Sequence, residues 1–75
     1  MEAVIRIPFK SAKDAGSALK ILESEKIERE RSKIIFKTEA ATLTIRISAS
    51  DVAALRAAMN TYLRLAGVIL AGQEA

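Results

Sequence analysis

The run ATLTIRISASDVAAL, residues 41–55, holds both periodicities from which an architecture follows. Leu43, Ile45 and Ile47 alternate with Thr42, Thr44, Arg46 and Ser48, the period of two expected of a half-buried strand. Ser50 then has the residue type of a helix N-cap. Asp51 falls in the first turn, where the helix dipole favours a carboxylate. From Val52 the repeat changes to steps of three and four. Val52, Leu55, Met59, Tyr62, Leu63, Ala66, Ile69 and Leu70 make one apolar stripe at helical spacing. Ala54, Ala57, Ala58, Leu65 and Val68 are apolar on other faces of the same helix. From Leu63 onward it is hydrophobic nearly all round, broken only by Arg64 and Gly67.

Working back toward the N-terminus, Glu39, Ala40 and Ala41 form a short connection without the Asn-Gly or Asp-Gly of a favoured two-residue hairpin. Ile34, Ile35 and Phe36 mark a strand that runs to about Thr38. The segment from Ile27 to Arg31, IERER, is strongly charged and ambiguous. A helix precedes it, with Ala12, Ala15, Ala18, Leu19 and Leu22 at helical steps and an end near Glu23. Ser11 and Asp14 have the S-x-x-D spacing of a capping box at its start. The first strand is Glu2 to Phe9, where Ala3, Ile5, Ile7 and Phe9 alternate with Val4, Arg6 and Pro8.

The predicted order is β-α-β-β-α, an α+β fold. With a right-handed crossover, the third strand lies centrally and antiparallel to both others, and the two helices cover one face of the sheet. The other face is then open and carries Val4, Ile35 and the threonines.

Seventy-five residues make a single domain, 1–75. A chain of this size buries only roughly 60% of the surface its unfolded form exposes. Disulfides, a metal or a partner usually make up that deficit. Cysteine and histidine are both absent, which removes disulfides, thiol nucleophiles and the commonest metal ligand. A partner chain is the remaining option, and the surplus apolar side of the last helix is where it is expected.

Apolar residues are 51% of the chain and charged residues 28%, a globular composition. No run of about 18 apolar residues spans a membrane, and the start MEAVIRIPFK does not read as a signal peptide. The expectation is a soluble cytoplasmic protein. The net charge of +3 permits contact with nucleic acid without requiring it.

The inventory for catalysis is poor, so the chain is not read as an enzyme, and no catalytic, cofactor or metal residue is assigned. Glu23, Glu25, Glu28 and Glu30 alternate with Lys26, Arg29 and Arg31, the pattern of a solvated, internally screened surface. Gly16, Gly67 and Gly72 do not make a phosphate loop. Arg56, Asn60 and Arg64 follow one another at four-residue steps along the last helix. They form either its solvent face or a row of donors for phosphates or carboxylates. Arg46 and Arg6, on the polar faces of their strands, are candidates for a second basic patch. Gly67 either admits a neighbouring helix between Leu63 and Leu70 or ends the helix as a C-cap.

Three pieces carry a family resemblance. The first is the strand ending in Ile7-Pro8-Phe9 with the Ala-rich helix ending in Leu19 and Leu22. The second is Leu43-Thr44-Ile45 leading into Ala49-Ser50-Asp51. The third is Asp51-x-x-x-Leu55-Arg56-Ala57-x-x-Asn60-x-x-Leu63. Together, over about residues 4 to 70, they resemble the small subunit of the KEOPS complex, the Pcc family. KEOPS makes the threonylcarbamoyl modification of adenosine in tRNA.

The resemblance implies a non-catalytic subunit without cofactors. Such a subunit forms a homodimer, packs its helices against the threonylcarbamoyl-transferase catalytic subunit, and helps to hold tRNA. The surplus apolar side of the last helix makes Leu55, Met59, Leu63, Leu65, Gly67, Val68 and Ile69 the expected docking residues, and the polar ridge with the strand arginine makes Arg46, Arg56, Asn60 and Arg64 the candidates for tRNA contact. Asp51 matches the family's helix-starting acid, Arg56 the Arg of its Leu-Arg pair, and Asn60 an Asn usually followed by Ser. Here Thr61 follows instead. The link after the first helix is short and lacks an Asp-rich, Pro-containing stretch. That leaves open a paralogue acting as a fifth KEOPS component, which pairs with the small subunit as a heterodimer. A stand-alone nucleic-acid-binding module and an unrelated small α+β dimer also stay open.

Overall fold

A computed structural model describes residues 1–26 and 32–74. The charged segment 27–31, and with it Glu28, Glu30, Arg29 and Arg31, lies outside the described residues. Strand β1 is Glu2–Pro8, helix α1 Ala12–Ser24, strand β2 Ser32–Glu39, strand β3 Thr42–Ala49 and helix α2 Val52–Glu74. The sheet order is β1-β3-β2, and β3 is antiparallel to both neighbours, as the right-handed crossover predicts.

Register follows from burial of one face. Ile45 pairs with Ile5 on one side and Phe36 on the other, and Ile47 with Ala3 and Ile34. Those residues point toward the helices, and Leu43, Ile45 and Ile47 are fully buried. A slip of one residue would turn the whole apolar row outward, so the register is strongly specified. Phe9 N–H donates to the Ala41 carbonyl at 2.7 Å, extending the β1–β3 pairing one residue past Pro8.

The β2–β3 hairpin turns on two residues, Ala40 and Ala41, between the paired Glu39 and Thr42. Ala40 takes φ 53°, a left-handed conformation that alanine rarely adopts. The absence of Asn-Gly therefore does not prevent a two-residue loop. The flanking ladder holds Ala40 in its strained conformation.

Helix α1 begins as its spacing predicts, with Ser11 Oγ accepting from the Asp14 N–H at 3.1 Å. Its last turn closes where Ser24 Oγ–H donates to the Ile21 carbonyl at 2.7 Å. The cap of α2 differs from the sequence expectation. Asp51, not Ser50, is the N-cap: its Oδ1 accepts from the Ala54 N–H at 2.8 Å, and its carbonyl from the Leu55 N–H at 3.0 Å. A capping side chain accepts from an N–H two or three residues on, and here helical geometry starts at Val52, one residue later than a Ser50 cap requires.

Both helices cover one face of the sheet. Ala15, Ala18 and Leu22 of α1 and Tyr62, Ala66 and Ile69 of α2 close over Ile7, Ile34, Leu43, Ile45 and Ile47. Tyr62 meets Phe36 edge-to-face at 5.4 Å between ring centroids, fixing α2 against β2. The Gln73 side-chain amide donates to the Asp14 carbonyl at 3.0 Å, so the end of α2 lies beside the start of α1.

With 23 residues, α2 is roughly 35 Å long at ~1.5 Å per residue. This equals the longest dimension of the molecule, 35 Å. The strands have seven or eight residues and reach only about 26 Å at ~3.3 Å per residue. The helix is longer than the sheet that could cover it.

Candidate functional site

Helix α2 sorts its apolar residues by angle. Tyr62, Ala66 and Ile69 define the inward direction, with Leu55, Ala58, Met59, Leu65 and Leu70 half-buried around them. Val52 and Leu63, assigned to the same stripe from spacing, lie about a quarter turn away at 100° per residue and are exposed. Among the described residues Val68 is the most exposed large apolar side chain, at 66%, with Leu63 at 46%.

The seven residues expected to dock a partner therefore divide. Leu63, Gly67 and Val68 are solvent-exposed, while Leu55, Met59 and Leu65 are half-buried against the core. Ile69 requires correction as a surface residue, because it points into the core and is only 9% exposed. Apolar residues reach both edges of the Arg56, Asn60 and Arg64 ridge, so the sequence does not mark where the buried stripe ends.

Gly67 sits in the interior of α2, which continues to Glu74, so it is not a C-cap. A Cβ placed there meets nothing within 4 Å, and the glycine has no packing role within this chain. Replacing Gly67 with Ala should therefore stabilise the isolated chain by about 1 kcal/mol, from helix propensity alone. Thermal unfolding of the Gly67→Ala protein checks this. A lower midpoint would mean that the position is constrained within the chain.

Arg56, Asn60 and Arg64 are all exposed on the outer side of α2, as their four-residue spacing predicts. The Thr61 hydroxyl that follows Asn60 turns back to the Ala57 carbonyl at 3.0 Å. Arg46 lies elsewhere. It faces away from the helices in the middle of the open side of the sheet, between Val4 and Ile35. The four residues grouped as tRNA-contact candidates thus occupy two opposite sides of the molecule.

Sequence reasoning places Arg6 beside Arg46 but misses Lys33 and Lys37. The pairing register puts both of them on the same open face. The alternation in β2 carries that signal, because Lys33, Ile35 and Lys37 share a parity opposite to Ile34 and Phe36.

A cleft of about 240 Å³ opens between Pro8, Phe9, Lys10, Asp14, Leu70 and Gln73. It is smaller than the roughly 300–1,000 Å³ usual for small-molecule sites.

The geometry defines a small α+β module whose notable features are two uncovered surfaces, an apolar helix flank and a cationic sheet face. The family model described as Transcription factor Pcc1 matches residues 2–72, and the chain belongs to the Pcc1 family. This is the family of the KEOPS small subunit to which the three sequence pieces pointed. Among solved structures, a chain of the crystal structure of the binary complex Gon7-Pcc1 superposes with a TM-score of 0.89 at 17% identity. The match covers 99% of this chain and 93% of that chain. At this identity the likeness speaks for the fold. No curated protein sequence matches.

Proposed function

We infer that this chain is a non-catalytic assembly subunit of a KEOPS complex, which makes threonylcarbamoyladenosine in tRNA. Its helix layer docks onto the threonylcarbamoyl-transferase subunit, and it pairs with a second copy or with a paralogous small subunit. Through that assembly it helps to hold tRNA. The family assignment supports the complex. The observation that carries the docking is the exposed Leu63, Gly67 and Val68 on the outer side of α2. Leu63 and Gly67 lie one turn apart on one side of the exposed Arg64, and Val68 lies on its other side, at 100° per residue. A second helix can approach closely there and take apolar surface out of water.

The test is the absolute mass, by light scattering on a sizing column, of this chain mixed with the transferase subunit from the same source. A joint peak is expected, and its stoichiometry shows whether the small chain self-pairs. Two separate peaks would overturn the docking, and the mass of the smaller peak would still decide self-association.

A further inference from the structure

Between its N-cap Asp51 and Glu74, helix α2 carries two charged side chains, Arg56 and Arg64, and no carboxylate. Both arginines are exposed. On a helix, the residues three and four positions away are the ones placed to pair with them, and every one of these is uncharged. Among the described residues neither arginine takes part in an ion pair. Two unpaired guanidiniums therefore share the outer side of α2 with the uncovered Leu63 and Val68.

These surroundings discriminate between occupants. At ~100° per residue, Arg56 falls on the flank that holds Leu63 and Gly67, and Arg64 stands between that flank and Val68. The Thr61 hydroxyl is turned back to the Ala57 carbonyl, which leaves Asn60 as the polar side chain between the two arginines. An RNA backbone bound here would engage the arginines through its phosphates and leave Leu63 and Val68 in water. A protein helix laid on the same side covers both aliphatic side chains. The same cover strips water from Arg64, and a covered charge without a counter-charge is costly. A carboxylate on the covering helix removes that cost, and a guanidinium can grip it with two parallel hydrogen bonds.

We propose that Arg56 and Arg64 determine the specificity of the α2 docking surface by pairing with carboxylates on a helix of the protein partner. The inference rests on the docking to the transferase subunit proposed above, and it names the chemistry the transferase must present there. The arginines are eight residues apart, roughly 12 Å along the axis at ~1.5 Å per residue. Acidic residues about two turns apart on one side of the covering helix span the same distance. Leu63 and Val68 supply apolar area, while the charge pairs set the partner's register and repel basic surfaces.

The test is titration calorimetry of this chain with the transferase subunit from the same source, across a potassium chloride series. Wild type is compared with R56Q/R64Q and R56E/R64E. Glutamine and glutamate have helix propensities close to that of arginine, and both sites are exposed, so thermal unfolding should confirm an unchanged fold. R56Q/R64Q should bind at least about 30-fold more weakly than wild type, and R56E/R64E weaker still. Wild-type affinity should fall with salt more steeply than that of R56Q/R64Q. At transferase concentrations that saturate both proteins, binding of an unmodified tRNA transcript, followed by fluorescence anisotropy, should differ by less than about twofold.

If wild type does not bind the transferase at any salt, the docking itself fails and this assignment with it. If wild type binds and R56Q/R64Q stays within about fivefold of it with the same salt dependence, the guanidiniums reach past the apolar contact into water. Only the role of the arginines is then overturned. Intact docking with weakened tRNA binding in R56Q/R64Q would give the pair to RNA and overturn it equally.

Discussion

Ile45→Ala is expected to leave the isolated chain substantially unfolded at room temperature. Ile45 is fully buried at the middle of the central strand, paired with Ile5 and Phe36 and covered by both helices. Removing a buried isoleucine down to Ala costs about 2–5 kcal/mol, the upper part of that range applying where surrounding structure cannot collapse into the void. A central strand pinned on both edges is such a place. A domain of this size has a total stability of roughly 4–11 kcal/mol, and small domains lie low in that range. Urea unfolding followed by circular dichroism measures the loss directly. The control is Ile35→Ala, the same change on the neighbouring strand at a position that is 60% exposed. It should cost less than about 1 kcal/mol. Equal losses at the two sites would mean that β2 is paired one residue out of register.

Val68→Asp should cost at least about 100-fold in affinity for the transferase subunit while leaving the unfolding midpoint nearly unchanged. The side chain is 66% exposed and contributes little to the core, and valine and aspartate have similar helix propensities. Once covered by a partner helix, the new carboxylate would lose most of its water, with Arg64 one turn earlier as the group left to pair it. An uncompensated charge at an interface costs several kcal/mol. Titration calorimetry with the transferase reads the affinity. Retained binding would remove Val68 from the docking surface. Ile69→Asp, one residue along, would not serve as a test, because Ile69 is in the core and the variant would unfold before its binding could be read. Leu65→Asp would mix both effects, since Leu65 is half-buried.

These neighbouring positions show how far the sequence reaches. Strands carry their own orientation. In β3 the alternation of Leu43, Ile45 and Ile47 with Thr44 and Arg46 states which side is buried, because each side of a strand is chemically distinct. With a right-handed crossover added to that alternation, the central place of β3, the open face with Val4 and Ile35, and both helices on one face follow. Helix α2 is different. The Arg56, Asn60 and Arg64 ridge marks its outward side, but apolar residues crowd both edges of that ridge, so periodicity leaves the boundary of the buried stripe open. Spacing consequently puts the exposed Val52 and Leu63 in one stripe with the buried Ile69, and the expected docking set takes Ile69 for a surface residue.

Local chemistry near the turns is legible only in part. Ser11 caps α1 as its spacing predicts. At α2 two capping residues stand in succession, Ser50 and Asp51, and either type can cap; the backbone places the helix start one residue later. The left-handed Ala40 has no sequence signature, because its conformation is imposed by the strands on either side.

By itself the sequence determined the five elements, their order, the antiparallel sheet with its buried side, and the lack of histidine and cysteine that directs the reading toward assembly. The tertiary structure decided which flank of α2 remains uncovered, and it separated Arg46 from Arg56 and Arg64 while bringing Lys33 and Lys37 beside Arg46. The physical reason is that alternation within one element fixes only the relative direction of its own side chains. Which surface is shared by different elements depends on their pairing register and on the rotation at which each packs.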